Sequence, residues 1–117
     1  MAYLRHLVNG QTASIYELGH SSLIGRSSEC PIKVDDPTVS AVHARIEPAG
    51  DQWRLVDLKS TNGVLANGLR VSEVLLEEGV VITIGTHEFE YLAELPNDLE
   101  RTLKIKKSWI PGIYYTE

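Results

Sequence analysis

Over residues 1–94, apolar and polar positions alternate in short runs separated by turn residues. Phe89 and Tyr91 alternate with Glu88 and Glu90, and Ile82 and Ile84 with Val81 and Thr83. Ala44 and Ile46 face away from Arg45 and Glu47, and Trp53 and Leu55 flank Arg54 in the same way. A period of two marks a strand buried on one face. Turn signals fall at Asn9-Gly10, Gly19, Asp35-Asp36-Pro37, Ala49-Gly50-Asp51, Asn62-Gly63, Asn67-Gly68, Gly79 and Gly85. Many short strands at this spacing predict an all-β protein, an antiparallel sandwich or barrel, with Trp53 in its core.

The pattern changes at Leu95-Pro96-Asn97. Beyond it Leu95, Leu99 and Leu103 recur every four residues, and Asn97 or Asp98 can cap a short helix. Residues 1–95 are therefore expected to form one domain and residues 96–117 a partly helical C-terminal extension. The extension runs into Trp109, Ile110, Pro111, Gly112, Ile113, Tyr114 and Tyr115, which is too apolar for an inert linker. Covering an edge of the sandwich is the favoured reading, and docking to another protein is the alternative.

A chain of 117 residues with 43% hydrophobic content suits a single core. No apolar run approaches the ~18 residues of a membrane span, and the N-terminus does not read as a secretory leader. Cys30 is the only cysteine, so neither an internal disulfide nor a cysteine-built metal site can form. The four histidines, His6, His20, His43 and His87, lack ligand spacing, and no metal or other cofactor is expected. These features favour a cytoplasmic location. The net charge of -5 narrows the partners further. An acidic protein repels DNA, RNA and anionic lipid at long range, so neither a nucleic-acid partner nor membrane insertion is expected. An anion can be held only by a few locally placed donors.

Three segments supply such donors. In Leu23-Ile24-Gly25-Arg26-Ser27-Ser28 an apolar strand runs into a glycine where the chain can turn, and a guanidinium follows. Thr38-Val39-Ser40-Ala41-Val42-His43-Ala44 is a loop entering a strand. Lys59-Ser60-Thr61-Asn62-Gly63 leads to Val64-Leu65-Ala66-Asn67-Gly68. Arginine is a planar multi-donor cation suited to phosphate, hydroxyls can donate to the remaining oxygens, and asparagine can grip a peptide backbone. Ser40 and His43, with Asp57 as a third member, also make up a hydrolase-like set. There is no Gly-x-Ser-x-Gly nucleophile elbow, and no enzymatic activity is expected.

In their order and spacing, Gly25-Arg26-Ser27, Ser40-x-x-His43, Ser60-Thr61-Asn62-Gly63 and Asn67-Gly68 resemble the motif set of the forkhead-associated (FHA) domain, from about Leu4 to Ala93. The resemblance implies a sandwich of two antiparallel-rich sheets with about eleven strands that reads phosphothreonine in partner proteins. It implies that Arg26 contacts the phosphate or its surroundings, that Ser40 donates to a phosphate oxygen, and that Thr61 and Asn62 hold the peptide. Gly25, His43, Gly63 and Asn67 would shape the loops. The residue after the family's serine is commonly Arg or Asn and here is Ala41, so one polar contact is missing. Ser27, Lys59 and Ser60 are the nearby groups that could replace it. Thr38 stands where some members carry a basic residue that influences ligand choice. The implied function is a phosphothreonine-dependent adaptor in Ser/Thr kinase signalling or a kinase-regulated assembly. The alternative is a phosphorylation-independent scaffold that uses a sheet face or the tail.

Overall fold

The computed structural model describes residues 2–94 and the strand at 105–107. Twelve strands follow in chain order: β1 (Ala2–Val8), β2 (Gln11–Leu18), β3 (Ser22–Gly25), β4 (Ile32–Lys33), β5 (Ala44–Ala49), β6 (Gln52–Asp57), β7 (Val64–Ala66), β8 (Leu69–Val71), β9 (Glu73–Leu76), β10 (Val81–Ile84), β11 (His87–Leu92) and β12 (Ile105–Lys107). They form a seven-stranded sheet, β12-β2-β1-β11-β10-β7-β8, and a five-stranded sheet, β4-β3-β5-β6-β9. Pairing is antiparallel except for β3 with β4 and β12 with β2. The all-β sandwich expected from the alternation is therefore present. The expected helix around residues 95–103 lies outside the described residues. Ile105–Lys107 of the extension adds a parallel edge strand beside β2, an element that the sequence pattern did not signal.

The period of two becomes the core directly. Ala44 and Ile46 of β5 are fully buried while Arg45 and Glu47, which alternate with them, are half-exposed. Ile46 stands opposite Leu55 of β6, and Ile82 of β10 opposite Phe89 of β11, so the inward residues of both sheets meet in one cluster with Leu4, Ile24, Val64 and Leu76. Burying each such side chain contributes about 1.5–3 kcal/mol, which is what holds the two sheets face to face. Trp53, expected in the core, packs against it from a partly exposed position. It lines an open groove with Leu18 and Tyr91 near the start of β1.

Two-residue turns fix the register of the hairpins. Asn67 and Gly68 both have positive φ, 49° and 85°, which suits the tight turn between β7 and β8. Asn67 also acts as a clip: its backbone N–H donates to the Val81 carbonyl at 2.8 Å, and its Oδ1 accepts the Val81 N–H at 2.8 Å. The hairpin is thereby tied to β10. Asn67→Ala removes the side-chain bond and puts a less tolerant residue at positive φ. It is expected to lower stability by about 2 kcal/mol in urea denaturation, with an unchanged m-value.

Candidate functional site

The loops after β3, β4 and β6 converge at one end of the sandwich, and backbone bonds lace the first two together. The N–H groups of Arg26 and Ser27 donate to the carbonyls of Ser40 and Ala41 at 2.9 and 3.0 Å, and Val34 N–H donates to the Gly25 carbonyl at 2.8 Å. This packing explains Gly25. Its role is to permit close approach, since a Cβ there would lie 2.3 Å from the Ala41 carbonyl oxygen and 3.0 Å from Cys30 Sγ. Cys30 itself is buried, and its thiol donates to the same Ala41 carbonyl at 3.4 Å. Burial pushes that thiol's pKa up, with Glu29 adding to the effect, as for a structural rather than a reactive cysteine.

His43 joins the second loop to the third. Its ring is fully buried; Nδ1 accepts the Ser40 N–H at 3.0 Å, so the proton sits on Nε2, which donates to the Gly63 carbonyl at 2.8 Å. Both ring nitrogens are thus engaged with backbone. Asp57 accepts from the Ser60 hydroxyl at 2.6 Å and the Ser60 N–H at 3.0 Å, and Ser60 Oγ accepts the Gly63 N–H at 3.0 Å. The hydrolase-like trio does not assemble: His43 touches the backbone of Ser40, not its hydroxyl, and Asp57 is occupied with Ser60. Ser60, a candidate replacement donor for the missing contact at Ala41, has its hydroxyl hydrogen committed to that carboxylate.

The remaining predicted residues meet along one rim. Arg26 is exposed, and its Nε donates to the Val39 carbonyl at 3.0 Å, which fixes the guanidinium beside Ser40 and, among the described residues, leaves both Nη groups open. Ser40 Oγ accepts the Thr61 N–H at 3.1 Å and keeps its own O–H to donate. Asn62 Nδ2 donates to the Thr38 carbonyl at 2.8 Å, leaving its Oδ1 free to accept from a ligand. Ser27 Oγ accepts the Glu29 N–H at 3.2 Å. Ala41 presents an exposed methyl group and uses its carbonyl as a strut. Arg26, Ser40, Thr61 and Asn62 therefore lie together although 36 positions separate the first from the last in the chain.

Charge follows the same geometry. Arg5 is paired with Glu90, Arg45 with Glu47, and Arg54 with Glu47 and Glu73. Among the described residues Arg26, Lys33, Lys59 and Arg70 have no acidic partner. Arg26, Lys59 and Arg70 belong to this end of the molecule, and Lys33 stands opposite Gly25 in the β3–β4 pairing. Among the described residues the unpaired cations thus gather towards this end, where a local positive field can form despite the net charge of -5.

Asp36, which the sequence marked only as part of a turn, anchors the middle loop. Oδ1 accepts from the Thr38 hydroxyl at 2.5 Å and the Thr38 N–H at 2.8 Å, and Oδ2 accepts from the Thr86 hydroxyl at 2.8 Å. His87 Nε2 lies 3.2 Å from Oδ2, and His87 Nδ1 lies 2.8 Å from His6 Nε2, whose ring stacks on Phe89. The loop that carries Ser40 is thereby tied through a carboxylate to the β10–β11 turn and the core. Nothing in the local sequence announces this, because Thr86 and His87 lie about 50 residues away.

Residues 22–85, more than half of the chain, match the FHA domain family. The FHA domain-containing protein FhaA of Mycobacterium tuberculosis is 36% identical over 80 residues, covering 68% of this chain and 15% of that protein. The proliferation marker protein Ki-67 of Mus musculus is 38% identical over 97 residues, covering 78% of this chain and 3% of Ki-67. The chain thus spans only a small part of these relatives. Among solved structures, the FhaA FHA domain complexed with the intracellular domain of Rv3910 superposes with a TM-score of 0.72 at 32% identity, covering 79% of this chain and 100% of that one. Mycobacterium tuberculosis EmbR in complex with a low-affinity phosphopeptide gives 0.69 at 36% identity, covering 77% and 24%.

The hydrogen bonds of Asp36 have a consequence that acid titration can read. Led by the Thr38 hydroxyl, then the Thr38 N–H and the Thr86 hydroxyl, they hold this carboxyl well below its ordinary 3.8. A depressed folded pKa adds stability that is present above the unfolded value and is lost as pH falls below it. Asp36→Asn should therefore flatten the loss of stability between roughly pH 5 and 2, followed by urea midpoints. An acid limb identical to the parent's would show that the carboxylate does not anchor the loop.

Proposed function

This chain belongs to the forkhead-associated (FHA) domain family, and we propose that its rim of Arg26, Ser40, Thr61 and Asn62 binds phosphothreonine in partner proteins. The observation that carries this reading is the open Nη edge of Arg26 fixed beside Ser40 by the Val39 carbonyl. A phosphothreonine carries about -1.5 to -2 charge near neutral pH, which suits two guanidinium N–H groups and the hydroxyls of Ser40 and Ser27. Asn62, held by Thr38, offers its amide to the peptide backbone, and the Thr61 hydroxyl stands beside it. Gly25, His43, Gly63 and Asn67 keep the loops in place and do not touch ligand. Each charge-assisted bond contributes about 1.5–3 kcal/mol net, so three of them with backbone contacts give roughly micromolar affinity after ordering costs. Reversible binding of that strength suits an adaptor downstream of a Ser/Thr kinase in the cytoplasm. The phosphopeptide complex of EmbR and the protein complex of FhaA are in keeping with this reading.

Ala41 favours one competing reading, a scaffold that does not require phosphate, because it supplies no donor where the family commonly has one. Binding by a phosphothreonine peptide array separates the two. Phosphatase treatment should abolish the binders, and Arg26→Ala or Ser40→Ala should weaken them about tenfold or more, one lost charge-assisted bond each. Retention of binding by both variants would reject this assignment.

The same geometry gives the opposite experiment. The Ala41 side chain is exposed and only its backbone serves as a strut, so Ala41→Asn can add a donor without disturbing the loop. Titration calorimetry should show affinity for a phosphothreonine peptide rising about threefold to tenfold, with unchanged affinity for the unphosphorylated peptide.

A further inference from the structure

Arg70 carried no motif in the sequence, yet it is one of the unpaired cations, and its position is defined. It is exposed on β8, the edge strand of the seven-stranded sheet, opposite Leu65 of β7. From there its side chain folds over Gly63: a Cβ on that glycine would lie 2.7 Å from Arg70 Nε, 2.8 Å from Cζ and 3.0 Å from Nη2. Gly63 has a positive φ of 79° and is pinned on both sides, its N–H to Ser60 and its carbonyl to His43. A guanidinium laid against a fixed backbone is a positioned group rather than a freely waving one. It makes no hydrogen bond or ion pair among the described residues, whereas Arg5, Arg45 and Arg54 all have glutamates.

The contacts also tie it to the rim. Arg26 rests on Val39, Ser40 on Thr61, Asn62 on Thr38, and Arg70 on Gly63. Arg70 therefore lies against Gly63, the residue that directly follows Asn62 in the same loop. A peptide whose phosphothreonine sits at Arg26 and Ser40, and whose backbone crosses Asn62, runs next to the glycine that Arg70 covers. An extended peptide advances about 3.3 Å per residue, so a side chain a few residues from the phosphothreonine can reach the guanidinium.

We propose that Arg70 is a specificity residue that reads a second anionic side chain, a carboxylate or another phosphate, flanking the phosphothreonine. The proposal rests on the phosphothreonine reading of Arg26 and Ser40. A bidentate guanidinium suits either anion, and exposure to solvent keeps the gain moderate and sensitive to salt.

The test uses phosphothreonine peptides with alanine flanks, in which a single glutamate or phosphoserine is moved through the flanking positions, titrated against the parent, Arg70→Gln and Lys59→Gln. At one position the glutamate, the phosphoserine or both should raise affinity about fivefold for the parent. Arg70→Gln should remove that gain while affinity for the alanine-flanked peptide stays within about twofold. A gain from glutamate identifies an acidic residue as the ligand, and a gain from phosphoserine alone identifies a second phosphorylated residue. Equal loss for all peptides in Arg70→Gln, a gain that survives in it, or one lost instead in Lys59→Gln would overturn the proposal. If the alanine-flanked phosphopeptide binds and Arg26→Ala abolishes that binding while no flanking anion matters, the site reading stands and only Arg70's role fails. Binding without phosphothreonine would remove the reading beneath it.

Discussion

The loop end of the sandwich depends on one buried imidazole. His43 accepts from the backbone of Ser40 and donates to the backbone of Gly63, so two loops that share no covalent neighbour keep a fixed spacing. Its own backbone continues the same work: its N–H donates to the Ile24 carbonyl at 2.8 Å and its carbonyl accepts from Leu58 at 3.0 Å. A buried polar ring is costly to place unless both nitrogens are satisfied, and here both are. The histidine is therefore a clamp, and the side chains around it are positioned before any ligand arrives.

Around that clamp the polar groups divide their bonding capacity. Arg26 spends Nε on Val39, Ser40 spends an oxygen lone pair on Thr61, and Asn62 spends one amide donor on Thr38. Each residue uses one part of its side chain to fix its place and keeps another part for solvent or ligand. Ser60 and Asp57 show the contrasting case, with their side chains turned to internal bonds that shape the turn. Preorganisation of this kind lowers the ordering cost of binding, which matters for a small rim with few donors. Among the described residues, pairing Arg5, Arg45 and Arg54 with glutamates leaves Arg26 and Arg70 as unpaired guanidinium groups at the loop end.

Much of this was legible in the chain. Alternation at Ala44–Glu47 and Glu88–Tyr91 marked strands because a strand's side chains face opposite sides, and Asn67-Gly68 marked its hairpin because that pair accepts positive φ. The polar motifs of the loop end were visible because each is local. What the sequence hid is long-range. Asp36 gains its role only from partners at Thr38, Thr86 and His87, and Arg70 only because β8 folds back beside Gly63. Gly25 was readable as a turn, but its actual constraint is the Ala41 carbonyl packed against it from another loop. The edge strand at Ile105–Lys107 has no alternation long enough to signal it.

A titration with a phosphothreonine peptide followed by backbone amide NMR tests the account at its centre. The resonances of Arg26 to Ser28, Thr38 to Ala41 and Lys59 to Asn62 should move together on one binding curve, while the groove near Trp53 and Tyr91 stays still. Shifts confined to that groove, or the same shifts from the unphosphorylated peptide, would contradict a phosphate-reading rim.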